Sequence, residues 1–113
     1  MSCIFCAIAE GKIPAKVIFR DNDIVAFHDV QPQSPTHILI IPKRHVSSLN
    51  DLSAGDAGLV GRLILTAKEM AERMGCAQPG YRLVLNCNRD GGQSVFHLHL
   101  HLLAGRPMRW PPG

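Results

Sequence analysis

The strongest constraint on the fold is a stretch in which histidine and leucine alternate strictly, His97-Leu98-His99-Leu100-His101. Successive side chains of a β-strand point to opposite faces, so this alternation predicts a strand with three imidazoles on one face and leucines on the other. Half of the chain's 6 histidines lie in this stretch. Histidine can act as nucleophile, proton carrier or metal ligand near neutral pH. We therefore expect a functional site on the histidine face and a hydrophobic core on the leucine face.

The size and composition of the chain set limits on its class. Its 113 residues, 46% hydrophobic and 19% charged, predict one domain around a single core. No apolar run is long enough to span a membrane, and the first residues lack the basic region and apolar run of a signal peptide. We therefore expect a cytoplasmic protein whose 4 cysteines are reduced. The net charge of +3 comes from scattered lysines and arginines, which disfavours nucleic acid and favours a small anionic ligand.

Short apolar runs bounded by turn residues predict the other strands. Val17–Arg20 and Ile24–His28 flank an Asp-Asn-Asp turn, which is typical of a hairpin. A third strand is predicted over Thr36–Pro42 and a fourth over Tyr81–Cys87. Together with the histidine strand, they predict a mostly antiparallel sheet in an α+β fold.

One long helix is predicted over Ser53–Met74, with Ser53 and Asp56 at the spacing of a capping box. A stripe of apolar residues at helical spacing is expected to pack on the sheet. The stripe consists of Val60, Leu63, Ile64, Ala67, Ala71 and Met74. A short helical turn is also predicted over residues 4–10.

Two cysteines, Cys3 and Cys6, have Cys-x-x-Cys spacing. This spacing alone fits a redox pair, half of a zinc site, or two small thiols that pack in the core. A redox motif of the thioredoxin type follows a strand and opens a long helix, which the pattern around these cysteines does not provide. A zinc site needs two more ligands, and His45 and His97 are the best candidates by residue type. The residues alone leave zinc and packed thiols both open.

A polar loop leads into the histidine strand. Its Gly91-Gly92 pair allows backbone N–H groups to converge on an anion, and Ser94 adds a hydroxyl donor. Most Gly-Gly pairs are simple turns. The position directly before three imidazoles nevertheless predicts a cradle for phosphate oxygens.

The histidine strand and the leucines after it resemble the His-φ-His-φ-His-φ-φ signature of the histidine triad superfamily, where φ is an apolar residue. Matches along essentially the whole chain resemble its histidine triad nucleotide-binding protein branch, the purine nucleoside phosphoramidases. These matches are Ile13–Lys16, Phe27–Asp29, Pro35–His37, Ile41–His45, Asp90–Val95 and Trp110–Gly113. The triad motif is highly specific for the superfamily, and the Trp-Pro-Pro-Gly tail is fairly specific for the branch.

The resemblance implies an architecture. It is a single domain over residues 1–113 with the HIT-like α+β fold: a mostly antiparallel five-stranded sheet, one long helix and a short N-terminal helix. The family forms homodimers, in which strand Tyr81–Cys87 would pair with its twofold mate into one continuous sheet. Trp110 would then reach toward the partner's active site.

The resemblance also implies a reaction, cleavage of the P–N bond of purine nucleoside 5′-phosphoramidates such as AMP joined to an amine or a lysine. His99 would attack phosphorus and form a nucleotidyl-histidine intermediate, which water then hydrolyses. His101 and His37 would contact the phosphate and assist, and His97 would supply or shuttle a proton. No metal is required for this chemistry. The partners are AMP or GMP derivatives and a second copy of the chain, without membrane or nucleic acid.

The implied contacts with the nucleotide fall into three groups. Asp29 would accept hydrogen bonds from the ribose, and the phosphate or leaving group would contact Asn86, Gly92, Gln93 and Ser94, next to Val95. The purine would lie in a slot of apolar residues, Ile4, Phe5, Ile8, Phe27, Val30 and Leu39. Many members of the branch lack the cysteine pair, whereas other histidine triad proteins use such a pair with two histidines to hold zinc. A structural zinc on Cys3, Cys6, His45 and His97 would leave His97 only an orienting role.

Two other functions fit the same residues less well. A dinucleotide polyphosphate hydrolase or a nucleotidyl transferase would share the superfamily. Transferases replace the third histidine by glutamine, so His101 argues against them, and the Trp-Pro-Pro-Gly tail argues against the dinucleotide hydrolases. A non-catalytic nucleotide-binding or zinc-binding interaction module predicts that His99→Ala leaves the biological role intact.

Overall fold

The computed structural model describes residues 3–113, and Met1 and Ser2 of the predicted domain lie outside that range. The elements in chain order are α1 (Ile4–Ala9), β1 (Val17–Arg20), β2 (Ile24–His28), β3 (Thr36–Pro42), α2 (Ala57–Arg73), β4 (Tyr81–Val84) and β5 (Leu100–Ala104). Two short 3-10 turns, Leu49–Asp51 and Ala54–Asp56, lie between β3 and α2. The α+β class, the sheet and both helices are therefore confirmed.

The five strands form one antiparallel sheet in the order β1-β2-β3-β5-β4. The register places Phe27 beside Leu39, and Leu39 beside His101. Directly opposed residues of antiparallel strands point to the same face. An apolar row across β2 and β3 therefore leads directly to the third histidine of the motif.

The two faces of the sheet have different partners. Alternate residues such as Ile38, Ile40 and Leu102 are fully buried against α2, in a core that also contains Leu98 and Leu100. On the other face, Leu39 and its neighbours pack against α1. The leucines of the motif thus anchor the main core, as predicted, and the histidines lie on the α1 face.

The ladder of the histidine strand is shorter than predicted. β5 begins at Leu100, and His97 lies in a bend because Leu98 donates its backbone N–H to Val46 instead of to a neighbouring strand. The alternation still holds through the bend, since Leu98 and Leu100 are buried in the main core. The fourth strand likewise ends at Val84 and not at Cys87.

The long helix differs from the prediction at its start and in the face it buries. Ser53 and Asp56 do hydrogen-bond as a capping pair, but the first turn is 3-10 and the α-helix begins at Ala57. Ile64 is 47% exposed and Met74 is 37% exposed, so neither belongs to the packed stripe. The buried face is instead Leu63, Thr66, Ala67, Met70 and Ala71. These residues follow an i, i+3, i+4, i+7, i+8 pattern from Leu63. Thr66 and Met70 belong to the buried face although the predicted stripe did not contain them.

No helix in residues 3–113 has the length and apolar character that crossing a membrane requires. None of the 4 cysteines pairs with another in a disulfide.

Candidate active site

A cleft of about 400 Å³ lies between α1 and the face of the sheet that carries the histidines. Its walls are mostly apolar, and polar groups converge at one end, which is the usual character of a small-molecule site. The predicted residues that line it are Ile4, Phe5, Ile8, Phe27, Asp29, Val30, His37, Leu39, Ser94, Val95, His99 and His101.

The His99 ring is held in one tautomer by the backbone. Its Nδ1 lies 2.8 Å from the carbonyl oxygen of His97. A carbonyl oxygen can only accept, so Nδ1 carries the proton and Nε2 keeps a free lone pair. The residue is only 5% exposed, and this burial lowers the pKa of His99, which favours the neutral ring. A neutral imidazole with a bare Nε2 can act as a nucleophile.

His37 and His101 form a hydrogen-bonded pair with the opposite arrangement. The backbone N–H of Gln33 donates to Nδ1 of His37 at 3.0 Å, so the proton of His37 lies on Nε2. Nε2 then donates to Nδ1 of His101 at 2.9 Å, which leaves the His101 proton on its own Nε2. Asp29 Oδ2 lies 3.4 Å from His37 Nε2. The chain of bonds therefore gives His101 an N–H, and the residue lines the cleft.

Burial keeps this pair neutral in the free protein. Burial, followed by the neighbouring His99 and His37, lowers the pKa of His101 to about 4, against the opposing influence of Asp29. Burial also lowers the pKa of His37, against the opposing influence of Asp29. An anion bound at this end of the cleft would favour protonation of the pair.

A second polar cluster joins Cys3, Cys6, His45 and His97, and the ring of Phe5 packs edge to face against its His97. His97 Nδ1 lies 3.4 Å from Cys3 Sγ and 3.5 Å from Cys6 Sγ, and His45 Nδ1 lies 3.3 Å from Cys6 Sγ. Zinc bonds to sulfur and nitrogen at tetrahedral angles place such ligand atoms about 3.5–3.6 Å apart. The four donors therefore fit the spacing of a tetrahedral zinc site.

The protonation of the second cluster also suits a cation. His97 Nε2 donates to the carbonyl of Pro42 at 2.7 Å, so its Nδ1 is bare and faces the two sulfurs. Burial, with Cys3 as the next cause, raises the pKa of the Cys6 thiol. Burial lowers the pKa of His97. A bound cation would offset the cost of ionising the thiols.

Comparisons with known proteins now identify the family. Residues 10–108 match the HIT domain family. The chain is 48% identical over 105 residues to the purine nucleoside phosphoramidase of Escherichia coli (strain K12), a match that covers 93% of this chain and 88% of that protein.

The chain belongs to the HIT family.

Solved HIT structures agree with this fold. A HIT family hydrolase from Legionella pneumophila Philadelphia 1 superposes with a TM-score of 0.97 at 53% identity, covering 99% of this chain and 100% of that one. A zinc-bound histidine triad family protein from Mycobacterium smegmatis superposes with a TM-score of 0.80 at 30% identity, covering 94% and 76% of the two chains. Hydrolases are thus among the relatives of this HIT protein.

Several predicted site residues lie outside the cleft. Gln93 is buried, and its side-chain amide donates to the carbonyls of Ser47 and Val95 while its oxygen accepts from the N–H of Asn88. The backbone N–H groups of Gly92 and Gln93 donate to carbonyls of their own loop, so the predicted anion cradle of converging N–H groups is not formed by them. The predicted residues absent from the cleft lining are Asn86, Gly92, Gln93, His97 and Trp110. Trp110 is 83% exposed.

The cleft also contains residues for which no role was predicted. They are Ile13, Pro14, Ala15, His28, Gln31 and Gln33. The Ile-Pro-Ala segment and the Gln-Pro-Gln loop carry proline, which favours extended or turning backbone but does not indicate what the loop packs against. Gln33 acts through its backbone N–H, a contact that residue type does not reveal.

Proposed function

We propose that this HIT protein hydrolyses the P–N bond of purine nucleoside 5′-phosphoramidates. The observation that carries the proposal is the His99 ring, held by the His97 carbonyl with a bare Nε2 beside an apolar cleft. The proposal is also supported by the 48% identity to a purine nucleoside phosphoramidase.

The cleft suits a nucleoside. Phe5 and Phe27 lie edge to face with centroids 5.6 Å apart, and with the aliphatic residues around them they offer a slot for a flat purine ring. Asp29 lies at the rim, where one carboxylate oxygen accepts the N–H of Gln31 and the other has capacity for ribose hydroxyls.

In the first step, Nε2 of His99 attacks phosphorus and the P–N bond breaks. Binding of the anionic substrate favours uptake of one proton from solvent at Nδ1 of His101, and Nε2 of His37 then donates to Asp29 instead of to His101. His101 Nε2 passes its own proton to the departing nitrogen. The amine leaves neutral, the pair returns to its neutral state, and the nucleotide stays bonded to an imidazolium at His99. Positioning and charge stabilisation, which phosphoryl transfer chiefly needs, come from the His101 N–H and the Ser94 hydroxyl.

In the second step, water attacks phosphorus and gives its proton to His101. The bond between phosphorus and His99 Nε2 breaks, AMP departs, and the pair holds again the proton needed for the next turnover. No metal takes part in either step.

Two further features are proposed on the family resemblance. The Cys3, Cys6, His45 and His97 cluster would hold a structural zinc, which supplies a fixed cross-link between these residues. β4 lies at the edge of the sheet, where it could pair with β4 of a second chain and bring Trp110, with Asn86, near a neighbouring cleft. Asn86, Gly92 and Gln93 lie outside the cleft. For them to contact the substrate, as the family resemblance implies, the segment 86–93 that follows β4 would have to move.

Turnover of a fluorogenic AMP–amine by the wild type and His99→Ala, with AMP binding measured for both, tests the function. We expect His99→Ala to bind AMP and lose turnover. Equal turnover in the two proteins, or wild-type cleavage of a diadenosine polyphosphate in preference to the phosphoramidate, would overturn the proposal. Binding of AMP without turnover by the wild type would indicate a non-catalytic nucleotide-binding module.

A further inference from the structure

The wall of the cleft that α1 provides is a short element whose position must be fixed from outside. α1 has only six residues, whereas an isolated helix needs about 12–15 residues to be even marginally stable. It nevertheless supplies Ile4, Phe5 and Ile8 to the cleft, where they form part of the purine slot. The contacts that hold the ends of α1 against the sheet therefore determine the width of this slot.

The C-terminal end of α1 has carbonyl groups that the helix itself cannot satisfy. The backbone N–H of Lys12 donates to the carbonyl of Ala7 at 2.8 Å. The N–H of Gly11 donates to the carbonyl of Ile8 at 3.1 Å. Gly11 has a φ of +74°, a left-handed conformation that favours glycine at the end of a helix. These two bonds leave the carbonyl of Ala9 for a partner outside the helix.

Arg20, the last residue of β1, is that partner. Its Nη1 donates to the carbonyl oxygen of Ala9 at 2.7 Å. Because the donor carries a positive charge, such a bond is stronger than one between two neutral groups. Arg20 therefore holds the end of α1 through a contact that comes from the sheet.

The strand pair that carries Arg20 also carries the opposite wall of the purine slot. Arg20 pairs with Val25 of β2. Phe27 lies two residues further along β2, and its ring centroid is 5.6 Å from that of Phe5. Val25 and Phe27 both pack in the buried cluster that contains Phe5 and Ile8. One guanidinium thus connects the α1 wall of the slot to the strands that form the other wall.

The contact between Arg20 and Ala9 lies away from the reacting groups. Phe5, near the start of α1, has its ring 5.1 Å from that of His99 between centroids. Ala9 is four residues later, more than one helical turn along α1. Arg20 is not among the residues that line the cleft. A change at Arg20 is therefore expected to alter the slot for the base and to leave the His99 ring in place.

We propose that Arg20 is a positioning residue for the nucleobase, which holds the C-terminal end of α1 at the distance from the sheet that a purine ring requires. The inference rests on the proposed function in one respect, the occupation of the slot by a purine. Arg20 then controls the affinity for the base, while binding of the phosphate and the reaction depend on other residues.

Arg20→Met tests this inference, with Arg73→Met as the matched control. The guanidinium of Arg73 also donates to a backbone carbonyl, that of Ile18, at 3.2 Å. This bond ties α2 to β1, and α2 packs on the face of the sheet opposite to the cleft. Both variants therefore lose a bond between an arginine and a carbonyl, but only Arg20→Met loses one beside the slot. Arg20→Lys keeps a cationic donor at the position and serves as the conservative variant.

The first readout is the affinity for AMP and for ribose 5-phosphate, which lacks the base, measured by calorimetry. We expect AMP affinity to fall about 3–10-fold in Arg20→Met, the range typical of one net hydrogen bond. Affinity for ribose 5-phosphate should change by less than about twofold, because this ligand does not enter the slot. Arg73→Met should keep both affinities, and Arg20→Lys should recover most of the AMP affinity.

The second readout combines kinetics and amide hydrogen exchange. In Arg20→Met, KM for a phosphoramidate should rise while kcat stays within about twofold of the wild type, as expected for loss of binding that is equal in the ground and transition states. Exchange of the Lys12 amide should be at least about fivefold faster than in the wild type and in Arg73→Met.

Three results would overturn the inference while leaving the hydrolase to the separate test of His99→Ala. They are an unchanged AMP affinity in Arg20→Met, an equal fall for AMP and ribose 5-phosphate, and a fall in kcat as large as the fall in affinity. If the wild type itself binds AMP no more tightly than ribose 5-phosphate, the purine slot of the proposed function is wrong, and the role of Arg20 is wrong with it.

Discussion

The two polar clusters of this molecule use the imidazole side chain in opposite ways. In the cysteine–histidine cluster, the carbonyl of Pro42 accepts from Nε2 of His97, so the bare Nδ1 of His97 faces two thiols. In the His37–His101 pair, the N–H of Gln33 donates to Nδ1 of His37, so the proton of His37 lies on Nε2 and is donated to His101. One cluster is prepared to bind a cation and the other to carry a proton.

This difference in protonation explains why the group around His37 is poorly suited to bind a metal. Asp29, His37 and His101 also bring ligand atoms within 4.8 Å of one another. A metal on Nε2 of His37 would have to displace its proton to Nδ1, where it would meet the N–H of Gln33. Proximity of donors is therefore insufficient, and the backbone partner of each imidazole decides its chemistry.

The largest effect is expected for His99→Ala, which removes the proposed nucleophile next to the His37–His101 pair. We expect turnover of an AMP–amine to fall by at least about 10⁴-fold. AMP affinity should change by less than about threefold, because the apolar slot supplies most of the binding. Steady-state kinetics and calorimetry measure the two quantities. A residual activity within about tenfold of wild type would assign the chemistry to another residue.

The next effect is expected for His101→Gln, which removes the proposed proton donor. Turnover of a substrate with an alkylamine leaving group should fall by about 10²–10⁴-fold. An arylamine needs less protonation to leave, so its turnover should fall less. The ratio of the two rates in the variant and the wild type measures this difference. An equal loss for both substrates would assign His101 to binding and not to proton transfer.

A metal assay compares the two clusters directly. We expect zinc to copurify with the wild type and with His37→Gln, and affinity to fall about 10–100-fold or more in Cys3→Ser. Elemental analysis and competition with a chromogenic chelator measure content and affinity. A loss of zinc in His37→Gln as large as that in Cys3→Ser would contradict the inference that only the cluster with a bare His97 nitrogen binds metal.

The smallest effect concerns stability against acid. Burial lowers the pKa of His37 and lowers that of His101 to about 4, whereas both titrate near 6.5 in an unfolded chain. The unfolded state therefore binds more protons below about pH 6.5, and the free energy of unfolding falls as the pH decreases from about 6.5 toward 4. Well above pH 6.5 both histidines are neutral in the folded and the unfolded states, so they do not make the free energy of unfolding depend on pH.

Thermal unfolding of the wild type and His101→Gln across this range measures the effect. We expect the loss of Tm on acidification to be roughly 5 °C smaller in the variant. Parallel Tm profiles would show that His101 is not held neutral in the folded protein.

Much of the fold could be predicted because its signals are local. The hairpin of β1 and β2 and the central strand β3 have the predicted bounds, since short apolar runs and turn residues define them. The buried face of α2 was predicted less well, because Ile64 is as apolar as Leu63 and only the position of the sheet distinguishes them. The family resemblance implied that Gln93 contacts the substrate, whereas its side-chain amide donates to the carbonyls of Ser47 and Val95.

By itself, the sequence determined that the leucines of the motif enter the core and that its histidines share the opposite face. Strand periodicity is a property of neighbouring residues, so it can be read without knowledge of contacts. The hydrogen-bond partner of each ring nitrogen, by contrast, depends on the tertiary structure. The partner of His97 is Pro42, 55 positions away, and that of His101 is His37, 64 positions away. Because a proton on imidazole goes to whichever nitrogen faces an acceptor, contacts between distant segments made one triad histidine a candidate metal ligand and its neighbours the proposed nucleophile and the proposed proton donor.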